Sequence, residues 1–160
     1  AYMLRRYQFI IPNCYTQPDN EADIFCLRKS WYCDEFEIKV TRSDFLQDIN
    51  KYVKVRNWEF GEYMKYCKVD ERDWPIMMNK HEALLAGHLS NYFYYIIKEG
   101  IADPDEIPNK FGVIICKDDG RLHIKREAKR LHCTKMSDKK LLKIVNKVGY
   151  RYIDLLRKTL

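Results

Sequence analysis

Two strand-like runs set the frame of this 160-residue chain. ADIFCL (22–27) and EFEIKV (35–40) are rich in aromatic and β-branched residues, are bounded by polar or turn-forming stretches, and lie close enough to pair as a hairpin about Trp31. Strand side chains alternate, so Glu37 and Lys39 share one face while Phe36, Ile38 and Val40 share the other. In such a hairpin partner numbers sum to roughly 60–62, which puts Asp23 across from residues 37–39. Glu21 projects to the same side as Asp23.

The remaining elements follow from periodicity. YQFII (7–11) reads as a strand preceding the hairpin, and TRSDFLQDINKYV (41–53) as a helix capped by Thr41 or Ser43, with Phe45, Ile49 and Tyr52 or Val53 at helical spacing. Residues 54–79, with Trp58, Phe60, Tyr63, Tyr66 and Trp74, form an insert of unassigned structure. HEALLAGHLSNY (81–92) reads as a helix and NYFYYIIK (91–98) as a buried strand. FGVIIC (111–116) and RLHIKR (121–126) frame a turn at Lys117–Gly120, a second hairpin signal. A basic helix over 137–158 closes the chain, capped by Ser137, with an apolar stripe of Leu141, Val145, Val148 and Tyr152. The order predicts an α/β or α+β domain around a mixed sheet, with residues 1–160 as one unit. A chain this long buries roughly 68–70% of its unfolded surface and needs no staple.

An acidic pair facing a lysine is informative because apposed carboxylates repel unless a cation lies between them. Clustered hard oxygen donors favour Mg²⁺ or Mn²⁺, and a neighbouring ammonium group can orient water and offset charge growing on a phosphate. Together these outline metal-assisted phosphodiester hydrolysis. A salt-bridged strand face accounts for Glu-x-Lys by itself; Asp23 tips the balance.

The string EADIF, then EIKVTRSDF running into a helix, then KHEAL and NYFYYIIKEGIADPDEIPNKFGVI, resembles the PD-(D/E)XK nuclease superfamily, most closely its phage-borne and MmcB-type DNA-repair branch. The resemblance covers about residues 20–52 and 80–135. It implies a restriction-endonuclease-like fold, a central four- or five-stranded mixed sheet flanked by helices. It further implies that Asp23, Glu37 and the Ile38 carbonyl bind Mg²⁺ or Mn²⁺, with Glu21 as a further ligand, and that Lys39 serves the nucleophilic water. Separately from the resemblance, Ser43 and His81 are candidates to support the site, His81 by the helix face it would share with His88; amphipathic surface or satisfied core explains that pair equally. The expected activity is a metal-dependent deoxyribonuclease in phage DNA processing or DNA repair; a catalytically weak or inactive binding protein of the same fold, or an RNA-directed nuclease, is the alternative.

Charge is unevenly distributed. The chain has 29 Lys/Arg and 23 Asp/Glu, a net +6, but residues 110–160 hold 15 Lys/Arg against 5 Asp/Glu, a net +10, and residues 1–109 hold 14 against 18, a net −4. Lys139, Lys143, Lys147 and Arg151 recur every four residues and, with Lys125 and Arg126, are candidates to track a DNA backbone; a solvated helix face explains the same pattern. His81, Glu82 and His88 do not form H-E-x-x-H, although the two histidines share a face if 81–92 is helical. Trp31, Tyr32 and the Tyr92–Tyr95 cluster are read as core. Six cysteines without a C-x-x-C pair read as free thiols in a reducing, cytoplasmic setting, the host cytoplasm if the gene is phage-borne. No run reaches the roughly 18 apolar residues of a membrane span, and the first ten residues lack a signal-peptide pattern, so neither membrane nor export is expected.

Overall fold

The computed structural model describes residues 6–17, 20–56 and 75–159. In chain order the elements are β1 (Tyr7–Gln17), β2 (Asn20–Arg28), β3 (Cys33–Lys39), α1 (Arg42–Ile49), β4 (Tyr52–Arg56), β5 (Pro75–Asn79), α2 (Lys80–Leu85), β6 (Tyr92–Lys98), a 3₁₀ turn (Pro104–Glu106), β7 (Gly112–Cys116), β8 (Leu122–Arg126) and α3 (Asp138–Thr159). Six strands form one mixed sheet in the order β1-β2-β3-β6-β7-β8, flanked by helices, and β4 and β5 form a separate two-stranded sheet. The resemblance implied four or five strands; β1 at one edge and β8 at the other bring the count to six.

The hairpin about Trp31 forms as its pattern requires. β2 and β3 pair antiparallel from Leu27–Cys33 to Ile24–Phe36, so partner numbers sum to 60. The turn is closed by Trp31 N–H on the Arg28 carbonyl at 2.9 Å and by Arg28 N–H on the Tyr32 carbonyl at 2.8 Å. Trp31 itself has φ 67°, a left-handed conformation that a bulky residue adopts only when held. The hold comes from the chain's C-terminal part: Met136 N–H donates to the Trp31 carbonyl at 2.8 Å, and the Trp31 ring packs on the cluster of Phe25, Leu27 and Met136.

On its other side β3 runs parallel to β6, with Glu37 opposite Tyr95 and Lys39 opposite Ile97. Parallel pairing demands a long crossover, and residues 40–91 supply it with α1, the β4–β5 hairpin and α2. Those elements bury Phe45, Val53, Val55, Ala83 and Leu84 against Phe93, Tyr95, Ile97 and Val113 of the sheet. Each such side chain contributes roughly 1.5–3 kcal/mol of burial. α3 lies on the same side, laying Leu141 and Ile144 on Phe25, Leu27 and Cys33. The reverse side collects Tyr7, Cys26, Phe36, Tyr94, Ile96 and Ile114, where Phe36 and Tyr94 stack with centroids 4.9 Å apart. Gly112 makes room for that stack, because a Cβ there would lie 2.1 Å from a Tyr94 ring carbon.

Three expectations change. The helix expected over 81–92 ends at Leu85, since Gly87 at φ 82° takes the left-handed conformation that stops a helix. His81 and His88 therefore share no helix face. The helix expected over 41–53 stops at Ile49, and Tyr52–Arg56 becomes β4. The ends of the 54–79 insert pair as β4 and β5, Tyr52 opposite Asn79, whereas its middle (57–74), with Trp58, Phe60, Tyr63, Tyr66, Cys67 and Trp74, lies outside the described residues. The other five cysteines are free thiols, and burial pushes Cys14 and Cys33 up to about 11 and Cys26 to about 12. Among the described residues no helix is long and apolar enough to cross a membrane.

Candidate active site

At the end of β3, β2 peels away from its neighbour, and the ladder between them stops at Ile24–Phe36. The freed Ile38 N–H is taken by the Asp23 carboxylate, Oδ2 at 2.6 Å. α1, starting three residues after β3, is capped by the Thr41 hydroxyl, which accepts from Asp44 N–H at 3.2 Å. Thr41 rather than Ser43 is the cap; Ser43 lies exposed in the first turn and does not line the cleft. Between these elements opens a cleft of about 410 Å³. Its walls carry the carboxylates of Glu21, Asp23, Glu37, Asp44 and Asp48 and the ammonium groups of Lys39 and Lys51. The side chains that alternation placed on one face, Asp23, Glu37 and Lys39, with Glu21, thus line one cavity.

The floor is a network that pattern reading did not find. Lys80, fully buried, donates to Glu37 Oε1 at 2.6 Å and to both Asp48 oxygens at 3.2 and 3.3 Å. Its position is set by Asn79, whose Oδ1 caps α2 on His81 N–H at 2.9 Å and whose Nδ2 donates to the Ile49 carbonyl at 2.8 Å, tying α2 to the end of α1. Lys39 Nζ sits above, 3.3 Å from Glu37, 3.5 Å from Asp48 and 3.7 Å from Asp44. The Tyr95 hydroxyl donates to Asp48 Oδ2 at 2.5 Å and lies 2.7 Å from His81 Nε2. Since that hydroxyl spends its proton on Asp48, His81 must donate to it through Nε2–H. Burial holds His81 down at about 4, so the ring is neutral at pH 7.

Burial opposes ionisation of both carboxylates here, with different results. For Glu37 burial outweighs the lysines and draws its pKa above the usual range. For Asp48 burial is outweighed by Lys80, Lys39 and the Tyr95 hydroxyl, and its pKa lies below the usual range. Burial also works against the Lys39 ammonium, but Asp48, Glu37 and Asp44 hold its pKa above the ordinary lysine value. Lys39 is thus a cation across the physiological range. It can orient water or bind a phosphate oxygen, but it does not act as a base.

The donor chemistry suits a hard divalent ion. Five carboxylates against Lys39, Lys51 and Lys80 leave a formal surplus of two negative charges. Asp23 Oδ2 accepts from the Ile38 N–H at 2.6 Å, and the two Glu37 oxygens accept from Lys39 at 3.3 Å and Lys80 at 2.6 Å. Among the described residues no three His, Cys, Asp or Glu side chains already converge on one point. Glu21 lines the same cleft and stands opposite Tyr15 in the β1–β2 ladder.

The basic residues are not gathered together. Lys139, Lys143, Lys147 and Arg151 belong to α3, over the β1–β2 edge, and the Arg151 guanidinium donates to the Asn13 carbonyl. Lys125 and Arg126 belong to β8 at the far edge. Arg126 is committed to the protein itself, donating to the Phe111 and Ile107 carbonyls at 2.9 Å and to Pro108 at 3.2 Å.

Asp48 and Lys80 each left a faint trace in the sequence. Asp48 stands three residues after Phe45, on the helix side that is buried, and Lys80 precedes Ala83 and Leu84 at the same spacing. A charged residue in an apolar stripe was the available signal.

No family model matches the chain, and no curated protein matches it. Among solved structures, it is similar to a protein of unknown function from Silicibacter pomeroyi, with 14% identity over 92% of this chain and 78% of that one and a TM-score of 0.49.

Proposed function

We propose that the cleft hydrolyses phosphodiester bonds in DNA with a divalent metal ion. The observation that carries this reading is that Asp23, Glu37 and Lys39 line one cavity, with the lysine charged and beside the carboxylates. Asp23, Glu37 and the Ile38 carbonyl would hold Mg²⁺ or Mn²⁺, with Glu21, which lines the same cleft, as a further ligand. When bound, such an ion polarises the phosphoryl group and activates water. Lys39 places its ammonium group where it can hold the incoming water and offset charge on the phosphate. Asp48 and Lys80 fix Lys39 and Glu37 from below, and Tyr95 and His81 fix Asp48 in turn. A role in DNA repair or phage DNA processing, in the cytoplasm, is part of the same proposal. RNA offers the same backbone chemistry and belongs in the test.

A second reading has its own support. Lys80 and Lys39 already neutralise Glu37 and Asp48, so the network is complete as an ion-paired structural floor. On that reading the fold binds nucleic acid without cutting it. Purified protein incubated with single- and double-stranded DNA and RNA, with Mg²⁺, Mn²⁺ or EDTA, separates the two. Metal-dependent cleavage of DNA supports the first. Retention of salt-sensitive DNA binding, with no cleavage and no calorimetric Mn²⁺ binding, supports the second.

A further inference from the structure

Among the described residues, α3 presents more apolar surface than the rest of the protein covers. Its contact with the sheet runs through Leu141 and Ile144, and Arg151 adds a bond to the Asn13 carbonyl. A second apolar line lies about a third of a turn away from that side, at 3.6 residues per turn. It consists of Leu142, Val145, Gly149, Ile153 and Leu156, and its large side chains are 61%, 43%, 45% and 45% exposed in chain order.

The spacing of that line is symmetric about Gly149: three, four, four, three. Read backwards it is the same line, which is the property a two-fold, antiparallel helix pair requires of both partners. Gly149 fits the centre of such a pair. Glycine is a poor residue for a helix interior, and among the described residues nothing lies within 4 Å of a Cβ built there, so none of the described contacts calls for it. A second helix crossing closely at that point does.

We propose that α3 pairs antiparallel with α3 of a second copy of this chain, about a two-fold axis beside Gly149, so that Leu142 meets the partner's Leu156 and Val145 meets the partner's Ile153. The line together with Tyr152 offers roughly 300–500 Å² of apolar surface per copy, at some 60–100 Å² for each of the five half-exposed side chains. Two copies would cover about 600–1,000 Å², below the usual size of specific interfaces, so the dimer is weak and reversible. Lys143 and Lys147 lie away from the seam and stay in solvent. A lipid surface would use the same apolar residues, but it gives no reason for the symmetry of the line or for the glycine at its centre.

Sedimentation velocity of the full chain over about 5 to 500 µM decides it. The proposal expects a monomer that becomes a dimer within that range, and a tenfold or greater weakening on Ile153→Asp. Oxidation of Gly149→Cys should give a disulfide-linked dimer in much higher yield than oxidation of Lys143→Cys or of the unsubstituted chain. This comparison stands even if Ile153→Asp loses helix. A chain that stays monomeric throughout, a dimer indifferent to Ile153→Asp, or equal cross-linking from Lys143→Cys overturns the proposal. So does a monomer that floats with vesicles of anionic phospholipid, which would assign the face to a membrane surface.

Discussion

Lys80 keeps its whole side chain out of solvent with an ammonium group that holds two carboxylates apart and in place. Removing one partner from a buried ion pair costs about 3–5 kcal/mol, because the opposing charge is left without compensation. Lys80→Met should therefore lower unfolding free energy in denaturant by about that amount, and adding Asp48→Asn should return part of it. His81 gives a second prediction. Its pKa is near 4 in the fold and 6.5 without it, so the unfolded chain takes up a proton first as pH falls. Stability is then lost between about pH 6.5 and 4, by up to about 3 kcal/mol, and His81→Gln should flatten thermal midpoint against pH in that window. Asp48 adds a separate loss at lower pH, as its depressed carboxyl is protonated below the usual range. Neither Asp48 nor Lys80 was legible as a site residue, because a charged side chain in a short helix ordinarily faces water. Only the company of Phe45, Ala83 and Leu84 marked them.

At the scale of elements, the hairpin was legible for a plain reason. Period-two alternation fixes which side chains share a face, and a tight turn fixes register, so Asp23 could be set across from residues 37–39 by pattern alone, just beyond the last ladder pair Ile24–Phe36. Helix ends were harder, since Gly87 and Asn50 stop α2 and α1 through backbone conformations that a run of apolar residues conceals. β4 was hidden because YVKVR continues the apolar spacing of α1 and declares itself a strand only through its pairing with β5. Gly112 carries the element-scale prediction. Its missing Cβ admits the Tyr94 ring that stacks on Phe36, so Gly112→Ala forces that ring out of place. A loss of about 1–3 kcal/mol in thermal or denaturant unfolding is expected, with a changed near-ultraviolet aromatic signal.

Across the whole molecule, the charge asymmetry maps onto structure unevenly. The acidic part holds the cleft. The basic part splits between α3 at one edge of the sheet and β8 at the other, with Arg126 spent on backbone carbonyls. α3 shares the cleft's side of the sheet, because Phe25 beneath it pairs with Glu35, two residues from Glu37. A DNA backbone reaching the cleft along α3 should lose affinity steeply with salt, and replacing both Lys143 and Lys147 by Ala should reduce the salt slope by roughly 0.9 per lost phosphate contact. The measurement that bears most directly on the central claim is DNA cleavage by Lys39→Met and Asp23→Asn proteins whose thermal midpoints match the unsubstituted chain, assayed with Mn²⁺. The account predicts EDTA-sensitive cleavage by the unsubstituted protein and a loss of roughly 10²–10³ in rate for Lys39→Met, with Asp23→Asn also impaired. Cleavage that survives EDTA, or that proceeds equally well without Lys39 and Asp23, would contradict it.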